Sequence, residues 1–280
     1  MTVQPQNLRP LRAGEILDRA FRLYRANFWL FIGIAGVLLG PLLVLELLSL
    51  FIFHETRLVS SIRSFLTGYL LQGAMIWAAS RSYLGHPTSM KDSYRQAQRC
   101  FRPFFGAGLR QVLAYLPAGI LFGLGAIGGA PGIIIVALFI VPYIVFLSTR
   151  WGLSFPAITI ENMNGADGLT RSWSLTSKDF WHVCVVLLAS VLLSSLASSL
   201  PAVIITYAMQ LFEPLRVIGP ALSSVIIQLG AIISIPLSMS ILVILYYDLR
   251  IRREGYDLEL ALQTTAEEIG ISDEQPSSNL

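Results

Sequence analysis

Residues 28–53 read "FWLFIGIAGVLLGPLLVLELLSLFIF", an unbroken apolar run that holds one acid, Glu46, and no base. A helix needs about 20 predominantly apolar residues to cross the roughly 30 Å hydrocarbon core of a bilayer, where no water satisfies loose backbone groups. This run is long enough, and similar stretches lie at about 65–84, 104–126, 131–149, 180–206 and 219–247. The pattern predicts an all-α, polytopic membrane protein with about six transmembrane helices. The second stretch is the weakest, with Arg63 at its start and Gln72 in its middle, so a re-entrant or interfacial segment is an open alternative there. Hydrophobic residues make up 54% of the chain and charged ones 13%, against roughly 45–50% apolar in a soluble domain. Five arginines and two acids precede the first run without a small-residue cleavage site, which argues against a removable signal peptide.

The basic residues fall on alternate sides of these stretches. The N-terminal segment, the 81–102 and 150–179 loops and the segment at 250–253 together hold sixteen of the twenty Lys and Arg, against Arg57, Arg63 and Arg216 on the other side and Arg110 within a span. By the positive-inside rule both termini are expected in the cytoplasm. The net charge of +3 reflects this sidedness and does not suggest nucleic-acid binding. Two cysteines, Cys100 and Cys184, imply neither a disulfide framework nor a Cys-based metal site.

A near-repeat cuts across the spans. "RAFRLYRANFW" from Arg19 and "RSWSLTSKDFW" from Arg171 share Arg, Leu, Phe and Trp in the same columns, 152 residues apart, and "RQAQRCFRPFF" from Arg95 lies halfway between. Each string ends where an apolar span begins and is followed by two spans. The reading is three units, at about 11–85, 86–160 and 161–250, each an amphipathic elbow helix plus a transmembrane hairpin, in one membrane domain over 1–252. Two spans per unit give all units the same orientation, unlike the inverted repeats common in transporters.

On a helical wheel Leu17, Phe21, Tyr24 and Phe28 share one face, opposite Arg12, Glu15, Arg19 and Arg22. Leu169, Trp173, Thr176 and Phe180 trace the same face in the third unit. Such helices are expected to lie flat in the interface, aromatic side down, with Arg19, Arg95 and Arg171 among headgroups. Two readings stand: the elbows are structural anchors, or the three arginines contact an anionic lipid headgroup or an acidic partner.

Glu46, Arg63, Gln72, Arg110 and Gln228 are the candidates for an intramembrane polar site, because ionisable groups there are costly to bury. Glu46 lies 18 residues beyond Phe28, about 27 Å along a helix, and so approaches the far interface, where Arg63 or Arg57 can pair with it. Arg110 sits near the opposite face and can snorkel. Gln72, Gln111, Gln210 and Gln228 suit interhelical hydrogen bonds. Small residues four apart (Gly36 and Gly40, Gly119 and Gly123, Ser190, Ser194 and Ser198) suit close helix packing. No His pair has metal-ligand spacing, and neither a P-loop nor a GxSxG turn is present. No metal, cofactor or catalytic residue is expected. Beyond Arg253 the chain is acidic, and 253–280 reads as a cytoplasmic tail that is partly disordered.

"WGLSFPAITIENMNGADGLTRSWSLTSKDFW" from Trp151 and "YYDLRIRREGYDLEL" from Tyr246, with "LRPLRAGEILDRAFRLYRANFW" near the start, resemble a family of bacterial integral-membrane proteins labelled for the membrane domain of glycerophosphoryl diester phosphodiesterase. In the proteins that give the family its name, such a region precedes a catalytic barrel. No barrel-sized segment is expected here: no histidine is followed by Arg-Gly, and Glu161-Asn162 is followed by Met163 where the barrel's element has Thr. The resemblance therefore implies a stand-alone accessory membrane module. The expected function is a non-catalytic scaffold or accessory subunit that binds membrane lipid, anionic in character, or a partner protein at the cytoplasmic leaflet. The alternative is a transporter or lipid-translocating permease, with Glu46, Gln72 and Gln228 lining a cavity.

Overall fold

The computed structural model describes residues 11–53, 57–210 and 219–254, and the regular elements within them are all helical. In chain order they are α1 (Ala13–Ala26), α2 (Phe28–Phe53), α3 (Arg57–Leu66), a π-helical turn (Thr67–Leu71), α4 (Gln72–Tyr83) and α5 (Met90–Ile127). Then follow α6 (Gly129–Trp151), α7 (Ser154–Glu161), α8 (Gly165–Thr176), α9 (Phe180–Gln210) and α10 (Gly219–Glu254). Five stretches are long and apolar enough to cross a membrane: Phe28–Ser49, Met90–Ile127, Gly129–Glu161, Phe180–Met209 and Leu222–Glu254. The chain is thus a multi-pass integral membrane protein. Residues 57–83 form one helical run through the π turn, but they are not among the five; Arg63, Gln72 and Arg81 dilute its apolar character.

The second half of α10 is the central column. From Ile241 to Leu249 every residue is buried, eight of the nine at 1% exposure or less, the exception being the aliphatic Leu242. A helix buried all round needs neighbours on all sides, and α9, α1, α4 and α2 supply them. Along α9 the approach is close: a Cβ on Gly230 would lie 2.5 Å from the Ser198 Cα. Hydroxyls bridge the same seam, Ser194 to Ser238 and Thr206 to Ser223 (2.6 Å). This is the small-residue packing available to helices that gain nothing from burying apolar surface against lipid.

The elbows differ from expectation in one respect and show an inward face that the sequence had not assigned. α1 and α8 are separate helices, ended at Asn27 and Ser177, but the middle string, Arg95–Phe105, runs uninterrupted inside the 38-residue α5. Pro103 takes the column held by Asn27 and Asp179, and α5 passes through it without a break. The buried face of α1 is Ile16, Ala20, Leu23 and Tyr24, with Phe21 42% exposed. In α8 it is Leu169, Ser172, Leu175 and Thr176, with Trp173 40% exposed. Each helix has two apolar sides. The one carrying a small residue, Ala20 or Ser172, packs inward because only it permits close approach. Columns 152 residues apart behave alike, down to Trp29 and Trp181 at 82% and 77% exposure.

Candidate functional site

The helix ends α1, α4, α8 and α10 and the start of α5 meet at one end of the bundle, where most of the charge lies. Asp248, buried on α10, accepts the Leu11 backbone N–H (2.6 Å) and Arg252 Nε (2.8 Å), and its Oδ2 lies 3.3 Å from His182 Nε2. Arg252 also donates to the Leu11 carbonyl, and Arg253 donates to Asp179. Tyr247 shares a hydrogen bond with Ser80 (2.7 Å) and stacks on Tyr83, to whose hydroxyl Arg19 donates.

A second cluster joins α7, α8 and α10. Arg171 grips Glu161 through Nε (3.1 Å) and Nη2 (3.0 Å) and reaches Glu254 through Nη2 (2.8 Å) and Nη1. Tyr246 donates to Glu161, and Arg250 donates to Glu254. The Glu254 hydrogen bonds, followed by those to Glu161, hold the Arg171 guanidinium above its ordinary pKa, against the effect of burial. Arg171, expected among headgroups, is therefore engaged by two carboxylates of its own chain. The left-handed Asn162 (φ 51°) that ends α7 sets this geometry up by turning the chain back into α8. Ser172 then locks the joint, donating to the Arg150 carbonyl (2.7 Å) and accepting from the Leu153 N–H (3.2 Å).

Arg95 lies elsewhere, on a polar pocket of about 280 Å³ lined by Trp77, Arg81, Pro87, Thr88, Asp92, Arg95, Gln96 and Arg99. Local rules build it. Gly85, at φ +76°, ends α4 with the left-handed residue that such caps favour. Pro87 follows, and Ser89 caps α5 by accepting from the Asp92 N–H (3.2 Å). The turn brings Arg81 beside Arg95 and Arg99, one helical turn apart on α5. Arg81 lies 5.9 Å from the centroid of the Trp77 ring and donates to the Pro87 carbonyl. Arg95 pairs loosely with Asp92 at 3.8 Å. Gln96 is held away by Asn162 (2.7 Å) and the Thr159 carbonyl, and the buried Thr88 Oγ1 has no partner among the described residues. Three guanidinium groups against one carboxylate suit a phosphate-bearing anion.

Of the intramembrane candidates, Glu46, Arg63 and Gln228 come together. Gln228 Nε2 donates to Glu46 Oε2 at 2.7 Å, and Arg63 Nε lies 3.3 Å from the same oxygen. Glu46 and Gln228 are almost wholly enclosed, at 4% and 0% exposure, so the cluster is a packed clasp joining α2, α3 and α10. Gln72 and Arg110 do not belong to it. Gln72 opens α4, and Arg110 points outward from α5, donating to its own helix at the Gly106 carbonyl (3.0 Å). Gln111 bridges to Ser154 (3.2 Å). The Arg57 and Gln210 side chains and the acidic segment after Glu254 lie outside the described residues.

Sequence reasoning missed Arg81 and Arg99, which had counted only toward sidedness, and Trp77. The usable signal was Gly85 and Pro87 between two basic helix ends, a tight reversal that must bring those ends together. It also missed Arg150, whose guanidinium sits 5.0–5.5 Å from the ring centroids of Phe146, Trp173 and Phe180 and pins α6 to the following elbow.

Residues 124–269 match the family model described as the membrane domain of glycerophosphoryl diester phosphodiesterase. Neither a curated protein nor a solved structure matches the chain. The Glu161–Arg171–Glu254 cluster lies inside the matched stretch, and the arginine pocket lies before it.

Proposed function

We propose a function that proceeds from family membership: the chain belongs to the membrane-domain family of glycerophosphoryl diester phosphodiesterase, and it acts as a non-catalytic accessory protein of the membrane. It captures a phosphate-bearing anionic group, of a lipid or a partner, at the basic end of its bundle. The observation that carries this reading is the convergence of Arg81, Arg95 and Arg99 on one polar pocket. The carboxylates Glu161, Asp179, Asp248 and Glu254 at this end are tied to arginines, which favours binding over acid–base chemistry. We place this end in the cytoplasm of a bacterium, because it gathers most of the basic residues. The matched exposure of α1 and α8 columns supports descent of the elbows from one repeated unit, and the run 57–83 would supply a sixth crossing.

The test is calorimetric titration of the purified protein with water-soluble dihexanoylphosphatidylglycerol. Each charge-assisted hydrogen bond contributes about 1.5–3 kcal/mol, so Arg95→Gln with Arg99→Gln should weaken binding at least tenfold. Asp92→Asn, which removes the pocket's carboxylate, should tighten it. Equal binding by all three proteins would rule the pocket out as the anion site.

A further inference from the structure

A different charge stands on the outer surface of the bundle. Arg110, with Trp151, Ala166, Leu169, Thr170 and Trp173, lines a cleft of about 400 Å³ between α5, the end of α6 and α8. Arg110 lies within the membrane-crossing stretch Met90–Ile127. Among the described residues no carboxylate pairs with it, and its hydrogen bond goes to its own helix. A guanidinium at that depth needs a counter-ion or must reach the headgroup layer. The rings of Trp151 and Trp173, 6.5 Å apart, are the kind that settle at that layer.

Directly beyond the cleft, between α5 and α6, runs an apolar groove of about 660 Å³ lined by Tyr115, Ala118, Gly119, Phe122, Ile140 and Ile144, among others. Its polar edges, Tyr115 and Ser148, satisfy each other at 3.1 Å. Gly119 keeps the wall open: nothing lies within 4 Å of where its Cβ would be. Tyr115 of the groove meets Trp151 of the cleft at 6.4 Å between ring centroids, so the two cavities are neighbours. An unpaired cation flanked by indoles, adjoining an apolar trough of ligand-sized volume, matches a molecule that covalently joins a phosphate to a long alkyl chain.

We propose that the α5–α6 hairpin holds one phospholipid at a fixed site, with its phosphate on Arg110 and one acyl chain in the groove. Charge decides for this occupant over a second copy of the hairpin, which would bring a second Arg110 and no compensating acid. The site is separate from the Arg81–Arg95–Arg99 pocket and does not rest on the function assigned to it.

The experiment is native mass spectrometry of the full chain, delipidated in mild detergent and titrated with palmitoyl-oleoyl-phosphatidylglycerol. Diolein, which has long chains and no phosphate, and dihexanoylphosphatidylglycerol, which has the phosphate and short chains, serve as comparison probes. The expected result is one long-chain phospholipid per chain and at least tenfold weaker binding of either comparison probe at this site. Arg110→Gln should lower the affinity about tenfold, the loss of one charge-assisted contact, while Arg110→Lys retains most of it. Gly119→Leu, which fills the groove without touching Arg110, should bring the long-chain lipid down to the level of the short-chain one. Arg95→Gln with Arg99→Gln should leave this site unchanged. Long-chain binding that is equal in wild type, Arg110→Gln and Gly119→Leu overturns the proposal. So does diolein binding as tightly as the phospholipid, or a dimer that excludes lipid.

Discussion

Asp248→Ala is expected to lower the stability of the folded protein by about 3–5 kcal/mol, the range for removing one partner of a buried ion pair. The Asp248 side chain is 0% exposed and receives the Leu11 N–H, Arg252 and the close approach of His182. Alanine would leave all three without their acceptor in a volume that water does not reach. Asp248→Asn should fall between, since an amide oxygen can still accept from Leu11 but offers Arg252 no charge. The measurement is the thermal unfolding midpoint in detergent, with Asp167→Ala on the surface of α8 as the control that should move little. An Asp248→Ala protein as stable as the parent would show that the buried cluster holds nothing together.

Gly165→Val should cost about 3 kcal/mol through overpacking. A Cβ there would lie 2.4 Å from the Pro103 carbonyl oxygen and 2.6 Å from the Ala107 nitrogen. Both are backbone atoms of α5, so no rotamer change relieves the clash. α8 must withdraw, and with it Arg171 from Glu161 and Trp173 from the Arg110 cleft. Gly119→Ala, at a position with open space, is the contrasting substitution and should be close to neutral. Equal midpoints for the two variants would mean that α8 is not seated on α5 as described.

Much of this was legible because a membrane limits the choices. The first apolar run, 28–53, coincides with α2, since inside lipid a chain that long and that apolar has only the helix available. The elbows α1 and α8 were legible from their columns, and the inward face was not. Phe21 and Trp173 outweigh Ala20 and Ser172 on any hydrophobicity scale, yet close approach selects the small side chain, to α10 for Ala20 and to the α6–α7 joint for Ser172. Placing Arg171 required its acids, which lie 10 and 83 positions away along the chain, beyond the reach of any local pattern. The middle elbow misled for a specific reason. Its string matches the others in column, but where they have Asn27 and Asp179 it has Pro103, which α5 accommodates inside a continuous helix by giving up one backbone hydrogen bond. Glu46 was placed near the far face by counting residues, and that count also brought Arg63 within reach; Gln228, 182 positions away, was not recoverable that way.

The grip of Asp248 on the Leu11 backbone spans 237 positions, and it sets an order in time. A ribosome releases residue 11 long before residue 248, and domains are generally completed in the direction of synthesis. Here the opening segment cannot reach its final seat until the closing helix is in place, so Ile16, Ala20 and Leu23 of α1 gain their α10 neighbours last. The first helix of the chain is thus the last wall of the bundle to close.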